Sequence, residues 1–207
     1  MLLLLGGILF AGAPARAAPD AACALHVWPA NNTSAISGGW LSNLGVAGAI
    51  ADHDRNRDQN LRDQLALIEA LTPATQARLL AAADLPAHLG MAGAEVRFES
   101  APIETRSIGR RKERRTTSHA PCYGEFFVSL NFYQRSALHG RTLTSHFVWK
   151  DFRGGKAQTR IRKGKADHPV PHFPPWGTAD EGAARNELAE AFSANVRAFV
   201  GKVGKER

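Results

Sequence analysis

From Glu125 to Tyr133 the chain alternates with a period of two, placing Phe126, Val128, Leu130 and Phe132 on one side. That period belongs to a β-strand with one face against a core, so this chain must build a sheet and cover it. Arg141 to Phe152 repeats the pattern, with Leu143, Phe147 and Trp149 on one face. Gly154-Gly155 is a two-residue hairpin signal leading into a third strand, Lys156 to Arg162. Strands joined in series by short connections predict an antiparallel meander. Two shorter strands are expected upstream: Cys23 to Trp28, stopped by Pro29, and a half-buried Glu95 to Ser100 carrying Val96 and Phe98.

Helical spacing appears elsewhere. Leu61, Leu65, Ile68 and Leu71 form one stripe, and Thr72-Pro73 is an N-cap followed by proline at the first helical position. Leu79, Leu80 and Ala83 continue that second helix to Leu85, before Pro86. Near the C-terminus, Leu188, Phe192, Val196, Phe199 and Val203 recur every three or four residues, an amphipathic helix. Asn31 to Gly48, rich in small and polar residues, reads as a loop or a loosely helical stretch. His168 to Trp176 holds four prolines and reads as an extended surface strap outside the ladder. The expected class is α+β: an antiparallel sheet of about five strands, packed by a central helix pair and a C-terminal amphipathic helix. Residues 18–203 form the expected domain, and 204–207 a short basic tail.

Leu2 to Ala13 is apolar and uncharged, too short for a spanning helix of roughly 20 residues. Ala15-Arg16-Ala17 supplies an A-x-A cleavage site, so residues 1–17 read as a signal peptide. No Lys or Arg precedes the apolar run, and the alternative is a buried N-terminal helix. Asp20 disfavours a lipid anchor on Cys23. Export to the periplasm or beyond is oxidising, so Cys23 and Cys122 are expected to form a disulfide rather than remain thiols. No CxxC or HxxxH spacing supports zinc.

The spread of Cys23 to Trp28, Ala120-Pro121-Cys122-Tyr123-Gly124-Glu125 and Gly140-Arg141-Thr142-Leu143 through Trp149 resembles that of a group of small exported Gram-negative bacterial proteins of unknown function. The order of elements is also similar to small periplasmic α/β modules of the curli-secretion and Tol-associated kind. The first resemblance implies export without an assigned activity, and the second implies architecture alone.

Lys and Arg number 26 against 19 Asp and Glu, a formal charge of +7, and the excess is concentrated. Arg106, Arg110, Arg111, Lys112, Arg114 and Arg115 crowd one segment around a single acid, Glu113. Arg153, Lys156, Arg160, Arg162, Lys163 and Lys165 crowd another with no acid between them. If the two meet on one sheet edge they form a surface for phosphate or carboxylate groups. The partners such a surface implies are lipopolysaccharide, lipid headgroups or acidic polysaccharide. The alternative is two solvated loops. Nucleic acid is disfavoured because no aromatics interleave the basic residues for base stacking.

Asp52, Asp54, Asn56, Asp58, Asn60 and Asp63 space their oxygens like a calcium loop. Arg57 stands where that loop needs glycine, Asp63 replaces the long bidentate Glu, and Arg55 and Arg62 oppose a cation. The alternative is a polar helix start. For catalysis the sequence offers no GxSxG, P-loop or HExxH, and the prolines at 169 and 171 keep His168 and His172 off a shared helical face. His26 and His146 read as sheet histidines. No cofactor is implied. The expected function is a non-catalytic binding or envelope-assembly module, with a hydrolase of an anionic envelope polymer as the alternative and a calcium-dependent module behind it.

Overall fold

The computed structural model describes residues 23–38, 55–101, 103–136, 140–153, 159–175 and 180–205, without the side chains of Thr105 and Arg106. The expected signal peptide and Gly154-Gly155 lie outside the described residues. The elements run β1 (Cys23–Trp28), β2 (Thr33–Gly38), α1 (Arg57–Ala70), α2 (Pro73–Ala81), α3 (Leu85–His88), β3 (Glu95–Phe98), α4 (Thr105–Ile108), β4 (Cys122–Ser136), β5 (Gly140–Asp151), β6 (Arg160–Pro169) and α5 (Glu181–Lys205).

The α+β class holds, but the sheet is mixed rather than antiparallel. Among the described residues it has six strands, in the order β3-β1-β4-β5-β6 with β2 also pairing β4. Only β4-β5-β6 form the antiparallel meander. β1 runs parallel to both β3 and β4, and β2 runs parallel to the later half of β4. The physical reason lies in the connections: α1, α2 and α3 stand between β2 and β3, and such crossovers return the chain in its original direction. β2 occupies part of the expected Asn31–Gly48 loop. The turn between β5 and β6 is longer than a two-residue hairpin, since Asp151 pairs Arg160 and residues 152–159 lie between. β6 continues through His168 and Pro169, which pair Leu143 and Thr142; β6 ends one side of the sheet, where proline is tolerated.

The strict alternation expected of β4 breaks at a bulge between Val128 and Leu130. The extra residue reverses the faces. Phe126 and Val128 enter the main core, but beyond the bulge Tyr133 is buried there while Leu130 and Phe132 are only half-buried. β5 keeps its pattern, with Leu143, Phe147 and Trp149 in the same core. α5 covers this face, and all five expected positions, Leu188, Phe192, Val196, Phe199 and Val203, are buried. Gly164 lets α5 approach closely: a Cβ there would stand 3.0 Å from the Phe199 ring.

α2 begins as expected, with Thr72 Oγ1 accepting from the Thr75 amide at 3.1 Å. α1 forms, but with a different face inward. Leu61, Leu65 and Ile68 are exposed at 52%, 60% and 43%, while Asn60, Asp63 and Leu67 are buried. Polar anchoring explains the rotation. Asn60 Oδ1 accepts from the Ser37 amide at 2.6 Å, and Asp63 Oδ2 accepts from Ser37 Oγ at 3.4 Å, so these side chains hold β2 against the helix. On β3, Val96 packs on the core but Phe98 is exposed. The expected bridge joins Cys23 to Cys122, which are also register partners on β1 and β4.

Candidate functional site

The sheet face away from α5 is covered at one end by the segment that holds the first basic run. Ile103 and Ile108 pack there with Trp28, Phe127 and Val148. Beneath them His26, Glu125 and Lys150 form a row across β1, β4 and β5, since His26 pairs Glu125 and Glu125 pairs Lys150. Glu125 and Lys150 are fully buried, with Nζ 3.5 Å from Oε2. Burial pushes the Lys150 ammonium below the ordinary lysine range, and the Glu125 carboxylate opposes that shift.

This row ties the basic segment down. Glu125 Oε1 accepts from the Arg115 amide at 2.5 Å and from the Tyr123 hydroxyl at 2.9 Å. Lys150 Nζ donates to the Arg111 carbonyl at 2.9 Å. Arg114 lies over the Tyr123 ring at 4.6 Å and donates to the carbonyls of Ser118 and Ala120. Arg115 lies over Phe127 and donates to Ser107 Oγ at 2.8 Å. Two of the expected anion-binding arginines are thus spent on packing. On the edge of this cluster, His26 Nδ1 lies 2.6 Å from Glu99 Oε1.

Beyond the covered end, the same face opens into a cleft of about 450 Å³. Arg110 reaches it from the first basic run and Lys163 and Lys165 from the second; His146 and Ser129 form the floor. The runs touch here, because a Cβ on Gly109 would overlap the end of the Lys163 side chain. Burial, and then the charge of Lys165, holds His146 below the ordinary histidine range, so its ring is neutral at pH 7. Ser129 is the extra residue of the β4 bulge, and its hydroxyl donates to the main-chain carbonyl of His146 at 3.2 Å.

The other candidates go elsewhere. Arg111 and Lys112 are exposed, Arg111 lying 3.8 Å from Glu113. Arg160 and Arg162 are exposed and alternate with Lys163 and Lys165 along β6, which assigns them to the opposite face. Arg153 pairs Asp151 at 2.6 Å. Burial alone would raise the Asp151 carboxyl, but the Arg153 hydrogen bonds hold it below its usual range. Lys156 and the Arg106 side chain lie outside the described residues. Of the calcium candidates, Asp52 and Asp54 lie outside too, Asp58 is exposed, Asn56 stands at the N-cap position of α1 with no side-chain cap hydrogen bond, and Asn60 and Asp63 turn to β2. Among the described residues, no group of three or more His, Cys, Asp or Glu is placed to hold a metal ion. Nor, among them, is any helix long and apolar enough to cross a membrane.

No family model matches the chain, and no curated protein matches it. A solved structure described as the crystal structure of an uncharacterized protein is similar over 89% of this chain and 93% of that one, with 12% identity and a TM-score of 0.32. At that likeness neither fold nor function transfers.

Proposed function

We propose that the protein is an exported, non-catalytic binding module whose basic cleft takes the phosphate or carboxylate groups of an anionic envelope component. One observation carries this reading: Arg110 of one basic run and Lys163 and Lys165 of the other face a single concavity. Three cations around a cleft focus a positive field there, and its volume suits a sugar or headgroup unit. The apolar leader and the Cys23–Cys122 bridge support an oxidising destination.

The test is retention on immobilised acidic polysaccharide and on vesicles containing lipopolysaccharide, each against a neutral counterpart. Retention on an anionic matrix is expected to weaken with salt and to fall in Lys163→Gln/Lys165→Gln. It should also strengthen once pH falls below the ordinary histidine range, because protonated His146 adds a positive charge to the cleft. Salt-independent retention, or retention unchanged in the double variant, would remove the proposal. Ser129 and His146 sharing the cleft favour one second reading, a hydrolase, and cleavage of the bound polymer would establish it.

A further inference from the structure

A second cavity, of about 410 Å³, lies between α1, the far ends of β4 and β5, and the strap after β6. Its positive charge comes from residues outside both basic runs. Gln59, Arg62, Asp63 and Ala66 approach it from one face of α1, at the spacing of helical neighbours. Arg135 and Arg141 approach from the sheet, where they are direct cross-strand partners. Like charges opposite each other on a ladder are unfavourable, and Arg62 adds a third guanidinium. Asp63 supplies the carboxylate among the described lining residues, with Oδ1 accepting from Gln59 Nε2 at 2.5 Å and Oδ2 from Ser37 Oγ at 3.4 Å, while Gln59 Oε1 accepts from Arg62 at 2.9 Å. Desolvation raises the Asp63 carboxyl despite those bonds and the nearby Arg135 and Arg141.

Arg141 is held in place, donating to the carbonyls of Pro171 and Phe173 at 3.1 and 3.2 Å. Pro174 and Pro175 supply a rigid apolar wall. Planar guanidinium groups meeting at one cavity match the geometry of a carboxylate or phosphate. We infer that this cavity is a binding site for a compact small molecule carrying an oxyanion, distinct from the cleft at His146.

The experiment uses the full mature chain, with inorganic phosphate and glucuronate as probes, each against sodium chloride at equal ionic strength. Calorimetric titration and thermal melting are read on the native protein and on Arg62→Gln, Arg135→Gln and Lys163→Gln/Lys165→Gln. At least one probe is expected to raise the melting temperature where chloride does not, by about 5–10 °C at roughly 100 times its dissociation constant. Arg62→Gln and Arg135→Gln should each weaken binding at least ~10-fold, one arginine contact being lost. The lysine double variant should bind as the native protein does, which separates this site from the proposed cleft. The inference falls if neither probe binds beyond the chloride control, if both arginine variants bind like the native protein, or if the lysine variant alone abolishes binding.

Discussion

Glu125 and Lys150 face each other on β4 and β5 with neither side chain exposed, so each charge depends on the other and on the backbone laid over them. Removing one partner of such a pair strands a desolvated charge, at a cost of about 3–5 kcal/mol. Lys150→Met is expected to lose that much in urea denaturation, whereas Glu125→Leu/Lys150→Met should recover most of it. A Lys150→Met loss below about 1 kcal/mol would mean that the pair does not hold the 103–121 segment. The sequence concealed this pair for a physical reason. Both residues alternate with core positions Phe126 and Trp149, which assigns them to the water side of a strand, and periodicity does not show that a distant segment covers that side. His146 was legible as a strand residue, but its place beside Arg110 and Lys165 depends on β6 register and on where α4 ends.

Elements were legible where a single periodicity ruled. β5 and α5 follow their patterns, β1 forms over Cys23–Trp28 as expected, and the Thr72 cap starts α2 as the sequence implies. Legibility failed where a local feature reversed a face. The β4 bulge exchanges the fates of Leu130 and Asn131, and α1 turns Leu61, Leu65 and Ile68 outward because its polar residues grip β2. β2 itself carries only Ala35 and Ile36 as apolar residues, too weak a signal to stand out from a loop. β4 and β5 approach closely at Gly124 on β4, where a Cβ would overlap the Trp149 ring and stand 2.8 Å from Met91 Sδ. Gly124→Ala is therefore expected to destabilise by about 1–3 kcal/mol, as overpacking does. Unchanged stability in thermal or chemical denaturation would show that Trp149 yields freely.

At the scale of the whole molecule, the disulfide and the charge distribution each set a measurable property of the chain. The Cys23–Cys122 bridge joins residues 99 apart in the chain and fastens β1 to the start of β4, against the main core. Closing a loop of that length stabilises by roughly 4–5 kcal/mol in the chain-entropy model. Cys23→Ala/Cys122→Ala should accordingly melt about 10–20 °C lower. A drop of only a degree or two would assign the bridge no structural weight. The two basic runs were visible in the sequence, but their meeting was not, because it requires β6 to return antiparallel beside β5 and Gly109 to admit Lys163. Residue-resolved chemical-shift mapping with an acidic polysaccharide tests that meeting most directly. The expected result is perturbation confined to Gly109, Arg110, His146, Lys163 and Lys165, lost at high salt. Perturbation confined to Arg111, Lys112, Arg160 and Arg162, with the cleft residues unmoved, would contradict it.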